Sequence, residues 1–129
     1  LSDSSGYIYD KSGIDEEKLS HIMELKNKRR ARIDVYLKKY PEANFFKNRK
    51  PWEIPCDIAL PCATQNELGE KDADLLIKNS CRCVGEGANM PSSPKAIYRF
   101  TMHNILYWHI AHTRQIIWNN QSYIKCCLH

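Results

Sequence analysis

The sequence lacks any apolar run long enough to cross a bilayer. None approaches the roughly 20 consecutive residues that a transmembrane helix needs, and the stretch from Leu1 to Gly6 lacks the basic-then-apolar order of a signal peptide. These absences argue against a membrane partner. We therefore expect a cytoplasmic protein in a reducing compartment.

The cysteines lack the spacing of a zinc knuckle, and although six of them would suit a disulfide scaffold in a short secreted chain, we expect free thiols. Only one residue separates Cys81 from Cys83, which is too few for the usual zinc-binding pairs. Both cysteines, together with Cys56 and Cys62, lie in or beside apolar runs, where buried reduced thiols are common. The chain end adds further donors whose irregular spacing favours an incidental cluster over a metal site. These donors are His109, His112, Cys126, Cys127 and His129.

Positive charge is modest but concentrated in one stretch. The formal net charge is +4, and residues 26–32 read KNKRRAR. No aromatic residue interleaves with these cations, and no recognisable nucleic-acid-binding module surrounds them. We therefore expect a solvated helix face and no nucleic-acid partner.

Helix and strand patterns alternate along the chain. Acidic residues near Asp15, basic residues near Lys39 and the helix-breaking Pro41 predict one long amphipathic helix with Asp15 as its cap. The following pattern predicts strands over 57–61, 81–84 and 105–108, and helices over 70–79 and 94–100, the last capped by Ser92 or Ser93.

This alternation predicts an α/β fold with a parallel sheet and flanking helices, its strands covered on both faces. Right-handed crossovers bring the carboxyl ends of the strands to one edge, where open α/β sheets bind ligands. Two polar loops, CATQNE (62–67) and GEGANMP (85–91), should therefore emerge side by side.

Each loop has a simpler explanation when taken alone. Thr64 or Asn66 could cap the following helix, and Gly85 and Gly87 could form a tight turn, although that turn leaves Asn89 unexplained. The glycine-rich fingerprint G-x-G-x-x-G is absent, as is any spacing that recommends a Ser/His/Asp or Cys/His nucleophile.

Four stretches make the chain resemble the NADP-dependent glutamate dehydrogenases, in the later half of their nucleotide-binding domain. They read SDSSGYIYD, IMELKNKRRARI, PWEIPCDIALPCATQNEL and EGANMPSSPKAI, in the family's order. The resemblance implies a partial Rossmann-like sheet over 1–107 that lacks the first strand and the glycine-rich turn. A sheet without its first strand has an unpaired edge, which predicts poor stability.

The resemblance also implies an activity. Family members convert glutamate, NADP and water to 2-oxoglutarate, ammonia and NADPH, or run the reverse, and the complete enzymes are homo-hexamers. The family's catalytic residues belong upstream of Leu1. We therefore expect a fragment that carries part of the coenzyme site and is inactive alone.

Coenzyme contacts follow from the same resemblance. Ser2, Lys26 and Arg32 would hold the 2′-phosphate of NADP. Asp3 would favour the free diol of NAD, but the basic stretch favours NADP. The other implied roles are Ala63, Thr64 and Gln65 at the adenine and its ribose, Asn66 and Asn89 at the nicotinamide ribose, and Glu86, Gly87 and Ala88 in shaping that loop.

Agreement with the family stops after residue 107. Residues 108–129 contain no glycine or proline and form a divergent tail. Such an abrupt change suggests a wrong reading frame, an unspliced intron or a gene fragment. The rival hypothesis is a genuine divergent terminus, a helix that packs through Ile110, Ile116, Ile117 and Tyr123. The alternative function is a non-catalytic interaction or nucleotide-binding module derived from the dehydrogenase.

Overall fold

The computed structural model describes residues 1–109 and a short strand at 126–128. The chain divides into two compact units, Leu1–Pro51 and Trp52–His129. Each unit encloses its own cluster of buried apolar side chains.

A three-stranded antiparallel sheet organises the first unit. Strand β2 (Gly6–Tyr9) lies between β1 (Ser2–Asp3) and β3 (Asn44–Lys47). Gly6 has a φ of 145°, and a Cβ at this position would collide with the backbone carbonyl of Phe46. Only glycine therefore lets β2 turn out of β1 and pair with β3 in this register.

The long helix predicted between Asp15 and Lys39 is wrong, because the segment is broken into three pieces. They are α1 (Glu16–Met23), a π-helical turn (Glu24–Lys28) and a 3-10 helix (Ile33–Lys38). The Asp15 carboxylate does cap α1, accepting the backbone N–H of Lys18 at 2.9 Å.

Tertiary contacts explain the break. The backbone reverses at Arg30, which has a φ of 49°. The backbone N–H of Ile33, at the start of the 3-10 helix, then donates to the Asp3 carboxylate at 2.9 Å. Residues on both sides of the break pack into one core, including the fully buried Ile22 and Tyr36. The spacing of apolar residues within a segment does not indicate a hydrogen bond to a carboxylate from a distant strand.

The second unit has the predicted alternation of strands and helices. Its elements are β4 (Ile58–Leu60), α2 (Glu70–Lys78), β5 (Cys83–Glu86), α3 (Pro94–Met102) and β6 (Leu106–His109). Strands β4 and β5 are parallel, as are β5 and β6. The α/β class with a parallel sheet and flanking helices is confirmed.

Strands β5 and β6 begin later than predicted, because each preceding helix closes with the same C-terminal turn. Ser80 and Asn104 adopt left-handed conformations with φ values of 61° and 55°. The N–H of the residue that follows each of them donates to the carbonyl five residues earlier. Cys81 donates to Leu76 and Ile105 donates to Phe100, each at 3.0 Å. These turns use the residues that we assigned to the strand starts.

Helix α3 starts as predicted. The Ser93 hydroxyl accepts the backbone N–H of Ala96 at 3.3 Å, and Pro94 occupies the first turn. Arg99 on this helix donates to the Asp74 carboxylate of α2 at 2.6 Å. The two helices therefore lie side by side.

The strands of the second unit are covered on one face only among the described residues. Ala59 and Val84 are fully buried, and Tyr107 stacks on Phe100 of α3 with ring centroids 6.1 Å apart. On the opposite face, Trp108 is 70% exposed. The expectation of strands covered on both faces is wrong for the described residues, because α2 and α3 both pack on the face that holds Ala59 and Val84.

The edge of β4 is paired rather than open. Strand β7 (Cys126–Leu128) runs antiparallel to it, with Ile58 opposite Leu128 and Leu60 opposite Cys126. The predicted unpaired edge is therefore not found at β4, and the outer strands of the described sheet are β6 and β7. The predicted packing of Ile110, Ile116, Ile117 and Tyr123 lies outside the described residues, as do His112 and His129 of the candidate metal donors.

The four described thiols agree with a reduced protein. None of them forms a disulfide; they are Cys56, Cys62, Cys81 and Cys83. A hydrogen bond with Cys56 and burial both raise the pKa of the Cys81 thiol well above its ordinary value. Within the described part of the chain, metal-ligating side chains form no cluster of three, and no helix is long and apolar enough to cross a membrane.

We expect Phe100→Ala to destabilise the second unit by about 3–5 kcal/mol, because it removes a fully buried ring and leaves a cavity. The matched control is Tyr98→Ala on the same helix. Tyr98 is 63% exposed, so its loss should change stability by at most about 0.5 kcal/mol. Urea unfolding measures both, and equal losses would contradict the assignment of the core.

Candidate functional site

The two polar loops lie side by side at the carboxyl edge of β4 and β5, as predicted. The backbone N–H of Asn66 donates to the carbonyl of Met90 at 3.0 Å, and that of Leu68 donates to Pro91 at 2.9 Å. Leu68 in turn accepts from the N–H of Ser93 at 2.9 Å. Residues 61–68 and 87–93 therefore form one hydrogen-bonded unit, here called the loop pair.

Gly87 is required where the two loops touch. A Cβ at this position would lie 2.5 Å from the Cys62 Sγ, and the Gly87 N–H donates to the carbonyl of Pro61 at 3.1 Å. The Cys62 thiol therefore occupies the space beside Gly87. The glycine allows the loops to approach each other.

The predicted ligand-facing residues lie on the outer surface of the loop pair. Thr64, Gln65, Asn66 and Asn89 are exposed, and Ala63 and Ala88 are half-buried. Neither Thr64 nor Asn66 caps helix α2. Gly69 holds that cap position, and its N–H donates to the Asp72 carboxylate at 2.9 Å. The simple capping explanation for the CATQNE loop is therefore excluded.

Two buried carboxylates lie beneath the loop pair. Glu86 is fully buried, and its Oε1 accepts the backbone N–H of Ser92 at 2.9 Å. Glu67 is 6% exposed and accepts the N–H of Ala63 at 3.0 Å. Burial and the nearby Glu86 carboxylate raise the pKa of Tyr107. Sequence reasoning missed Glu67, because its burial depends on the neighbouring loop.

In the first unit, three predicted residues come together at the β1–β2 turn. The Asp3 carboxylate accepts from the Lys26 ammonium at 2.7 Å and, through its other oxygen, from the Ser5 hydroxyl at 2.6 Å. The Arg32 guanidinium donates to the hydroxyl of Ser4. The predicted placement of Lys26 and Arg32 along one continuous helix is wrong, because they lie on either side of the break.

Ser4, not the predicted Ser2, is the accessible serine at this turn. Ser2, which we predicted as a phosphate ligand, is 3% exposed, and its hydroxyl has no hydrogen-bond partner among the described residues. Ser4 is exposed and already contacts Arg32. The repeated serines of the SDSS stretch were the available signal for Ser4.

The electrostatic state of Asp3 follows from its contacts. Burial acts to raise its pKa, but hydrogen bonds from Lys26, Ser5 and Ile33 outweigh burial and hold the pKa below its ordinary value of 3.8. The carboxylate is therefore ionised at neutral pH and paired with Lys26, whose side chain is 15% exposed. Both of its oxygens are occupied within the unit.

Comparison with known proteins supplies the family context. Residues 1–112 match the family model described as Glutamate/Leucine/Phenylalanine/Valine dehydrogenase. The glutamate dehydrogenase of Bacteroides thetaiotaomicron is 56% identical over 106 residues, which cover 82% of this chain and 24% of the relative. The NAD(P)-specific enzyme of Xylanibacter ruminicola is 54% identical with the same coverage.

A solved structure is similar as well. Glutamate dehydrogenase of Plasmodium falciparum aligns with a TM-score of 0.82 and 48% identity, over 84% of this chain and 23% of that chain. Other relatives have names that specify NADP or NAD. The chain spans about a quarter of the length of the relatives that it matches.

We expect Asp3→Asn to lower stability at pH 7 by about 1–3 kcal/mol, since it removes charge-assisted hydrogen bonds. The pKa of Asp3 is lowered in the folded state. Its contribution to stability is therefore fully present above pH 3.8 and is lost as the pH falls through the lowered pKa. Urea unfolding of both proteins over a pH series measures the difference. A difference that persists unchanged at acidic pH would refute this account, and Glu42→Gln, at an exposed site, is the control.

Gly87→Ala should destabilise the second unit by about 1–3 kcal/mol, because the added methyl meets the Cys62 sulfur. Combining it with Cys62→Ala should recover part of the loss, since the obstructing atom is then gone. At Gly69 an added Cβ meets nothing closer than 3.7 Å, so Gly69→Ala is the matched control. Thermal unfolding of the four proteins tests the contact; a double variant no more stable than Gly87→Ala would contradict it.

Proposed function

The chain belongs to the Glutamate/Leucine/Phenylalanine/Valine dehydrogenase family, and from this membership we propose that it carries part of the coenzyme site of an NADP-dependent glutamate dehydrogenase. In the complete enzyme, glutamate, NADP and water are converted to 2-oxoglutarate, ammonia and NADPH. The chain spans about a quarter of its relatives and contains no G-x-G-x-x-G turn. We propose that it binds coenzyme weakly and has no turnover alone.

The loop pair is the observation that carries this proposal. Its outer surface presents the hydroxyl of Thr64 and the amides of Gln65, Asn66 and Asn89, and such groups suit the hydroxyls of two riboses. Thr64 and Gln65, with Ala63, are proposed to line the adenosine side. Asn66 and Asn89 are proposed to hold the nicotinamide ribose.

NADP rather than NAD is supported by the charges at the β1–β2 turn. A dianionic 2′-phosphate would be repelled by a bare carboxylate, but Asp3 is neutralised by the Lys26 ammonium. Arg32, beside Ser4, is the cation proposed to meet the phosphate. Since both oxygens of Asp3 are already occupied, its role as a partner for the ribose diol of NAD is disfavoured.

This chain's residues supply placement, whereas the hydride chemistry belongs to the coenzyme. Within the second unit, the hydroxyl and amide groups of the loop pair suit ribose hydroxyls. Within the first unit, the Arg32 guanidinium suits a phosphate. No described residue is proposed as catalytic.

The remaining expectations stay proposals. They are a cytoplasmic location, hexameric assembly of the complete enzyme, and a boundary between a partial domain at 1–107 and a tail at 108–129. No nucleic-acid or membrane partner is proposed.

A non-catalytic module derived from the dehydrogenase is the second candidate. The pairing of β7 with β4 favours it, because residues 126–128, which lie beyond the family match, then form part of the sheet. Such a module would fold and remain monomeric whether or not it bound coenzyme.

Calorimetric titration at low salt separates the two candidates. We expect NADPH to bind more tightly than NADH, and Arg32→Ala to weaken NADPH binding about tenfold because one charge-assisted contact is lost. NADH binding should be unchanged. Lys28→Ala, an exposed cation in the same basic stretch, is the matched control.

The outcomes of this titration are distinct. Equal weakening by Lys28→Ala would indicate general electrostatic attraction rather than a phosphate site. A cooperatively melting chain that binds neither coenzyme would overturn the coenzyme-site proposal and favour the non-catalytic module.

A further inference from the structure

Two buried glutamates span the two loops of the proposed coenzyme site in the same way. We propose that Glu67 and Glu86 are positioning residues, which hold the loop pair in its binding conformation before coenzyme arrives. This inference rests on the proposed function. It assigns a role to Glu67, which had none. For Glu86, which the resemblance places in shaping the nicotinamide-ribose loop, it proposes that the side chain acts through the backbone and does not contact the ligand.

Glu86 closes the second loop. It is the last residue of β5 and fully buried, and its Oε1 accepts the N–H of Ser92 at 2.9 Å. The intervening residues 87–91 include Ala88 and the exposed Asn89. Ser92 also pairs with Leu68 in a parallel bridge. The carboxylate therefore fixes a residue that joins the two loops.

Glu67 closes the first loop. It is 6% exposed, and its Oε1 accepts the N–H of Ala63 at 3.0 Å, so that Thr64, Gln65 and Asn66 lie between its two anchor points. The next residue, Leu68, bonds to both Pro91 and Ser93. Here too the carboxylate acts beside a residue that joins the loops.

Burying a carboxylate is costly unless hydrogen bonds compensate for the lost water. In both loops a backbone N–H supplies one of the compensating hydrogen bonds, so each glutamate constrains the backbone shape of its own loop. Ordering a loop residue on binding costs about 1–2 kcal/mol. A loop that is already ordered avoids this cost, which is why coenzyme affinity should depend on side chains that the coenzyme does not reach.

The test compares alanine and glutamine at each position. The glutamine Oε1 can accept the same N–H bond, whereas alanine cannot. Amide hydrogen exchange without coenzyme should show loss of protection at Ala63 in Glu67→Ala and at Ser92 in Glu86→Ala. NADPH affinity should fall about tenfold in both, the loss expected when one or two loop residues must be ordered on binding, and the glutamine variants should retain most of it.

Glu70→Ala is the matched control in the same unit, since the Glu70 carboxylate is half exposed and only approaches Lys95, at 4.0 Å. It should alter neither readout. If an alanine variant does not melt cooperatively, leucine replaces alanine at that position, because it fills more of the space and offers no acceptor.

Three results would overturn the inference. They are protection that survives the alanine substitutions, affinity that survives the loss of protection, and glutamine variants as weak as the alanine variants. If the unsubstituted chain binds no NADPH, the proposed function fails, and with it the claim that the loops are held for coenzyme. Hydrogen exchange would then still show whether the glutamates hold the loops.

Discussion

The packing of both connecting helices on one face of the parallel sheet is the constraint on which the second unit depends. Helices α2 and α3 share one core cluster on that face, and the polar loops that follow the parallel strands β4 and β5 meet at one edge. The helices bury Ala59 and Val84 beneath them, while Trp108 faces away. The same topology thus determines the core, the exposed face and the position of the loop pair.

Carboxylates that accept backbone N–H groups stabilise the irregular parts of both units. In the first unit, Asp3 accepts from Ile33 where the helix breaks. In the second, Glu67 and Glu86 accept from residues across their own loops. Each carboxylate satisfies a donor that regular secondary structure leaves without a partner. The proposed coenzyme contacts therefore lie on backbone whose shape is held by these side-chain hydrogen bonds.

Local patterns predicted well those elements whose determinants are adjacent in sequence. Ser93 caps α3 and Asp15 caps α1 because a cap needs only the next three residues. Apolar runs located the three parallel strands for the same reason. In the first unit the prediction of one long helix was wrong, because a periodic helix pattern does not indicate a break that Asp3 stabilises. Strand β7 was equally invisible, since its partner is far away in sequence.

The sequence by itself determined the family, the alternation of strands and helices, and the two polar loops at one sheet edge, because specific motifs, apolar periodicity and crossover handedness are local or general rules. Only the tertiary structure decided that Asp3 pairs with Lys26, that Cys62 occupies the space beside Gly87, and that Glu67 is buried. These contacts join residues from separate segments, and their energies depend on distances that exist only after the chain has folded.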